Sequence, residues 1–243
     1  MSVIKLTERP LVVFAYDFPH RKTYEFLSRF KALGYENVVV LAAPKQNLKT
    51  GSGNNTFSSL IDSSFIPNTR DICVLYGYSF FSVAHHDHEA IEKIITKNQS
   101  TLAFIAGARI LKAEIINFFE DGVINFHPGK LPQTSGLDAI YWSIKNNVQP
   151  GVSVHFVNEK VDAGRLLFFR NAMCGKRDSL SVINESIFQA QLLALSELLE
   201  RRTINSETLE DIIRPNKNPP MTTQEKREVE LRFEEWRSTW ALC

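Results

Sequence analysis

Leu11-Val12-Val13-Phe14-Ala15, then Lys22 to Leu33, then Asn37-Val38-Val39-Val40-Leu41-Ala42 decide the fold. The outer two stretches are short continuous apolar runs, the mark of strands buried on both faces. The middle stretch carries Tyr24, Leu27, Phe30 and Leu33 at helical spacing and stops at Gly34, a residue suited to end a helix. Strand, helix and strand with short connections make a βαβ unit, which requires parallel strands.

The alternation continues outward from this unit. Asp71 to Leu75 reads as a strand, followed by a polar helix at Glu89 to Thr96 with Asp87 as its cap. Leu102 to Ala106 reads as a strand, Lys112 to Phe119 as a helix, and Val123 to Phe126 as a short strand. Gly136 to Lys145 has helical periodicity, Val152 to Val157 and Leu166 to Phe169 look like strands, and Ser179 to Leu199 is a long helix. The expected class is α/β, a Rossmann-like, doubly wound, mostly parallel sheet with C-terminal helices. Residues 1–203 are expected to form one domain and 204–243 a helical extension beyond the break at Pro215 to Pro220. In that extension Val229, Phe233, Trp236 and Trp240 form an apolar stripe, which suits packing on the core or at a homodimer contact.

Bulk properties narrow the function classes. The chain of 243 residues is 44% hydrophobic and carries a net charge of +1, so no overall field favours nucleic acid or an anionic membrane. No stretch approaches the roughly 20 apolar residues of a membrane span. The apolar run Leu11 to Ala15 is too short for a secretory signal. Cys73, Cys174 and Cys243 are odd in number and far apart, which fits a reducing compartment, and a cytoplasmic protein is expected. His85-His86-Asp87-His88 reads as a helix start, with no metal expected there.

The chemistry is concentrated in Asn125-Phe126-His127-Pro128-Gly129 and in Val161-Asp162-Ala163-Gly164, each placed at a strand end. Ligands of open α/β sheets bind outside such ends. Acyl transfer to an amine creates an oxyanion and moves a proton from the attacking to the leaving nitrogen. The Asn125 amide suits the oxyanion, the His127 imidazole suits the proton, and the Asp162 carboxylate can orient the imidazole and favour its cation. Pro128 and Gly129 stiffen the strand exit and let backbone approach a substrate.

Val123 to Pro132, Gly136, the Gly151 to Val157 strand and Val161 to Gly164 together resemble the 10-formyltetrahydrofolate-dependent formyltransferases, strongly over residues 100–170. That resemblance implies the formyltransferase fold, catalytic roles for Asn125, His127 and Asp162, and folate as co-substrate without a metal. It also implies a pterin site lined by Ile105, Ala106, Gly107, Arg109, Ile110, Leu111, Val157 and Val161. The family's arginine in the Leu-Pro-x-x-Arg-Gly turn is absent, since Gln133, Thr134 and Ser135 precede Gly136.

Ribonucleotide-specific members carry a Gly-rich loop after the first strand, where this chain has Tyr16 to Lys22; its Gly51 to Asn55 loop follows the second strand. By elimination, the acceptor is expected to be a small amine, a nucleotide-linked amino sugar of surface polysaccharide synthesis. Tyr16, Arg21, Lys22, Pro128, Gly129, Gly136, Tyr141 and Trp142 are the candidates to hold it, with Trp142 also fitting the buried face of its helix. Folate hydrolysis, a ribonucleotide acceptor and a folate- or nucleotide-binding module stand as alternatives. An NAD-dependent oxidoreductase is disfavoured because no G-x-G-x-x-G follows the first strand.

Overall fold

β2 (Leu11–Tyr16) and β3 (Val38–Ala43) are buried along almost their whole length and pair in parallel, with α1 (Arg21–Ala32) between them. The computed structural model describes residues 3–45, 65–160, 162–206, 209–213 and 217–241. The Gly51 to Asn55 loop, Val161, Pro215 and Cys243 lie outside the described residues. α1 starts at His20, whose ring accepts the Thr23 N–H, and the turn after it uses Gly34 at φ +77°. Its inner face, Thr23, Phe26, Leu27 and Phe30, is buried, and Phe30 meets Phe104 edge-on at 5.2 Å.

The next elements are α2 (Thr69–Tyr76), β4 (Ser79–Ser82), α3 (His88–Asn98), β5 (Leu102–Ile105), α4 (Ala113–Ile116) and β6 (Gly122–His127). α5 (Ala139–Lys145), β7 (Gly151–Phe156), β8 (Gly164–Asn171) and α6 (Leu180–Arg201) follow. The chain continues through β9 (Thr203–Asn205), β10 (Glu210–Ile212), α7 (Thr223–Glu230) and α8 (Phe233–Trp240). The main sheet has eight strands in the order β10-β8-β7-β6-β5-β2-β3-β4. Pairing is parallel for β4-β3-β2-β5-β6 and antiparallel for β7-β8-β10. The expected α/β class with a mostly parallel sheet and flanking helices is what the structure has. Among the described residues no helix is long and apolar enough to cross a membrane.

Contacts divide the chain into two units, Met1–Ile124 with Ser196–Ser206, and Asn125–Leu195 with Glu207–Cys243. The first unit also holds β1 (Val3–Lys5), which pairs antiparallel with β9 in a separate small sheet. In the second unit, Trp236 is 2% exposed and its indole N–H donates to the Val148 carbonyl at 2.7 Å.

Four expectations are corrected. Asp71 to Leu75 is helical: Ile72 and Cys73 are buried while Val74 and Leu75 are 78% and 77% exposed, and the strand is the less apolar Ser79–Ser82 after Gly77. A five-residue apolar run has no period of its own, so burial by tertiary contact decides it. Lys112 to Phe119 holds only the single turn Ala113–Ile116. The C-terminal stripe is split at Leu231 and Arg232 into two short helices, with Arg232 donating to the Lys145 carbonyl at 3.1 Å. The segment from 204 is not wholly helical, since β10 pairs with β8 at the sheet edge.

Candidate functional site

The second unit brings Asn125, His127 and Asp162 together. β6 carries Asn125 and ends on His127, so both lie within the strand rather than beyond it. Asp162 lies in the β7–β8 connection at φ +52°, a left-handed conformation that Asp tolerates better than most residues. His127 is 3% exposed, and its Nδ1 is 3.3 Å from Asp162 Oδ1. Its Nε2 is 2.8 Å from the Thr134 carbonyl oxygen. Nδ1 thus faces a carboxylate, and Nε2 faces the Thr134 carbonyl and, at 3.4 Å, the Thr134 hydroxyl.

Asp162 Oδ2 accepts the Gly136 N–H at 2.5 Å. Burial by itself pushes the Asp162 carboxyl upward. The His127 hydrogen bond and charge, the Gly136 N–H and His155 outweigh it and hold the pKa down at about 2. Asp162 is thus a carboxylate across the neutral range, and it faces the His127 ring.

His155, within the Gly151 to Val157 strand, orients Asn125. It is fully buried, and its Nδ1 lies 3.2 Å from both the Phe156 and the Ala163 carbonyl oxygens. The proton therefore belongs on Nδ1, leaving Nε2 bare to accept from Asn125 Nδ2 at 3.3 Å. That bond fixes which way the Asn125 amide points. Burial pushes the His155 pKa down to about 4, aided by His127 and opposed by Asp162 and the two carbonyls.

The sign of the resulting pH dependence is definite. An unfolded imidazole titrates near ~6.5, so below that value the unfolded chain gains a proton that folded His155 refuses. Stability should be full above pH ~6.5 and fall as the pH drops toward 4, by roughly 3 kcal/mol from this residue. His20, also lowered to about 4 by burial and by Lys22, acts in the same direction. Denaturant unfolding across this window should show a shallower loss in His155→Gln. An identical slope in the variant contradicts the assignment.

The loop from Pro128 to Asp138 builds the site. Gly129 was expected to open the backbone to a substrate, but Thr134 fills the space beside it. A Cβ at Gly129 would lie 2.1 Å from Thr134 Oγ1 and 2.9 Å from Thr134 Cβ. The Gly129 carbonyl accepts from the Ser153 N–H and hydroxyl at 3.1 and 2.8 Å, so this glycine braces the loop. Gly129→Ala should therefore cost about 1–3 kcal/mol by overpacking, measured as a lowered denaturant midpoint. Pro128 is exposed, and Gly136, at φ +92°, serves Asp162 through its N–H. Trp142 is half-buried rather than buried; its indole N–H donates to the Pro219 carbonyl at 3.3 Å, and Tyr141 takes the buried position.

The first unit holds the other expected contacts. Tyr16 stacks on Phe18 at 4.9 Å and meets His20 edge-on at 5.0 Å. Arg21 and Lys22 open α1, with Lys22 Nζ 5.1 Å from the Phe26 ring centre. The segment after β5 is tied back by the Ala106 and Gly107 N–H groups, both donating to the Phe14 carbonyl. A Cβ at Gly107 would come within 2.9 Å of the Tyr16 ring and 3.1 Å of the His20 ring. Ile110 is 67% exposed and Leu111 buried, while in the second unit Val157, just after β7, is half-buried. Asp87 caps α3 by accepting the Ala90 N–H at 3.1 Å, and His85 Nε2 is 3.0 Å from the Leu41 carbonyl oxygen.

Comparison with known proteins extends this geometry. The family described as formyl transferase matches residues 36–199. The methionyl-tRNA formyltransferase of Ehrlichia chaffeensis is 28% identical over 115 residues, which is 47% of this chain and 38% of that protein. The phosphoribosylglycinamide formyltransferase of Escherichia coli is 26% identical over 133 residues, covering 53% of this chain and 63% of that protein. The chain thus spans less than two thirds of these curated relatives. A sugar N-formyltransferase from a Shewanella species is similar in structure, with a TM-score of 0.58 at 17% identity, covering 92% of this chain and 87% of that one. The phosphoribosylglycinamide formyltransferase of Anaplasma phagocytophilum has the same TM-score of 0.58 at 19% identity, covering 77% and 83%. Together with the Asn125, His127 and Asp162 cluster, the match over residues 36–199 establishes that the chain belongs to the formyl transferase family.

Proposed function

We propose that the protein transfers a formyl group from 10-formyltetrahydrofolate to the primary amine of a small acceptor, a nucleotide-linked amino sugar. The observation that carries this reading is His127 Nδ1 lying 3.3 Å from a carboxylate held ionised by its surroundings, on the same unit as an oriented Asn125 amide. The acceptor amine attacks the formyl carbon, a C–N bond forms, and the carbonyl electron pair moves onto oxygen. Asn125 donates its N–H to that oxyanion, and the His127 cation stabilises it. As the bond to N10 breaks, its electron pair stays on N10, which takes the Nε2 proton. His127 then recovers a proton from the new amide nitrogen, so charge and protons balance. Asp162 favours the cationic ring throughout.

Support for a sugar nucleotide comes from the loop after β2. Tyr16 to Lys22 contains no glycine to cradle phosphate with backbone, and instead offers a stacked aromatic pair followed by Arg21 and by Lys22, whose ammonium pKa burial lowers to about 7. Aromatic faces and an arginine suit a base or sugar ring and a diphosphate. By the motif resemblance, the pterin contacts fall to the Ile105 to Leu111 segment. The test is incubation with 10-formyltetrahydrofolate and a panel of UDP- and dTDP-linked amino sugars plus glycinamide ribonucleotide, read by mass. A one-formyl gain on an amino-sugar nucleotide supports the reading. A gain on glycinamide ribonucleotide alone, or formate release without any amine, replaces the acceptor or the reaction.

A further inference from the structure

The family match ends at residue 199, yet the segment from Lys217 to Glu230 lies against the loop that holds the His127–Asp162 pair. That loop makes two connections to the pair: the Thr134 carbonyl faces His127 Nε2 at 2.8 Å, and the Gly136 N–H donates to Asp162 at 2.5 Å. The C-terminal segment grips the loop on both sides of these groups. Asn218 pairs with Gly136 in an isolated parallel bridge, and its N–H donates to the Ser135 carbonyl at 3.3 Å. Its side-chain amide donates to the Gln133 carbonyl at 2.9 Å. A Cβ at Gly136 would lie 2.5 Å from the Asn218 carbonyl oxygen, so the two backbones are in close approach.

On the far side of Gly136, Asp138 is held twice. Its Oδ2 accepts the Met221 N–H at 3.0 Å, and its Oδ1 pairs with Lys226 Nζ at 2.6 Å. Both side chains of that pair are largely buried, at 16% and 19% exposure, so solvent screens it less than a surface ion pair. Tyr141 adds a hydrogen bond from its hydroxyl to Glu230 at 3.0 Å. The loop itself offers the backbone few alternatives, because Gly136 is at φ +92° and Asp138 at φ +61°. Such a conformation persists where surrounding contacts over-determine it.

We infer that the C-terminal segment is a positioning strap: Asn218 and Lys226 set the Gln133 to Asp138 loop so that Thr134 and Gly136 hold His127 and Asp162 in working geometry. These two are positioning residues, acting through the loop and touching neither reacting nitrogen. The inference rests on the catalytic reading of His127 and Asp162 given above.

The test uses the full chain with Asn218→Ala and Lys226→Ala, and Lys226→Arg as the conservative variant. Hydrogen exchange of the Gly136 amide should accelerate at least ~10-fold in both alanine variants, with distant amides unaffected. The Asp162 carboxyl, followed by carbon NMR, should stay flat above pH ~4 in the natural protein and bend within that range in the variants. Turnover on the acceptor panel should fall ~5–30-fold with KM within about twofold, and Lys226→Arg should recover most of it. Unchanged Gly136 exchange and an unchanged Asp162 curve overturn the inference, as does a fall in turnover that comes wholly from KM. His127→Ala separates the two readings. Retained turnover there overturns the catalytic assignment and this inference with it. Lost turnover there, with an undisturbed Gly136 amide in the strap variants, overturns this inference alone.

Discussion

His127→Ala is expected to lower formyl transfer by about 10³–10⁴-fold. The residue ends β6 and is held by Asp162 on one nitrogen and the Thr134 carbonyl on the other. On the proposed mechanism, removing the ring takes away the group beside the oxyanion and the proton carrier between the two nitrogens. The variant also leaves a buried carbonyl without its donor, at a cost of about 1–3 kcal/mol, so its folded fraction must be checked by circular dichroism before rates are compared. Steady-state transfer at saturating 10-formyltetrahydrofolate is the measurement. Turnover within threefold of the natural protein by that assay would remove His127 from the mechanism.

Asn125→Ala should lower kcat by about 10²–10³-fold while KM for the donor changes little, because an oxyanion donor acts mainly in the transition state. Asn125→Asp should be slower still. It preserves the size of the side chain, but it places an acceptor where the developing negative charge needs a donor. It also sets a carboxylate 3.3 Å from a bare His155 nitrogen that now accepts an amide N–H. A proton drawn onto His155 to relieve this contact would oppose the burial that keeps that ring neutral. Aspartate turning over faster than alanine at neutral pH would argue against Asn125 as the oxyanion donor.

Much of the fold was readable because its strands are short and fully apolar. Val38 to Leu41 and Leu11 to Ala15 have no polar residue to place on a wet face, so a central parallel sheet was the consistent solution. Asp71 to Leu75 misled for the same reason: its apolar run resembles those strands, and only the exposure of Val74 and Leu75 reveals the helix. The true strand, Ser79–Ser82, carries a serine at each end and half-buried phenylalanines between, a weak signal next to its neighbours. At the C-terminus, Trp236 and Trp240 kept their helical spacing, but the turn at Leu231 and Arg232 has no glycine or proline to announce it.

The sequence alone determined which residues could do the chemistry, since an amide, an imidazole and a carboxylate in ordered motifs restrict the reaction whatever surrounds them. It also determined the central strands β2, β3, β5 and β6, because local apolar runs leave few ways to bury themselves, but not the edge strands β4 and β10. Tertiary structure alone decided what each of those groups faces. His155 becomes the orienting partner of Asn125, Gly136 becomes the donor to Asp162, and Asn218 meets a loop more than eighty residues earlier, at Gln133. Hydrogen-bond direction and burial depend on contacts between distant segments, and neither local propensity nor periodicity encodes them.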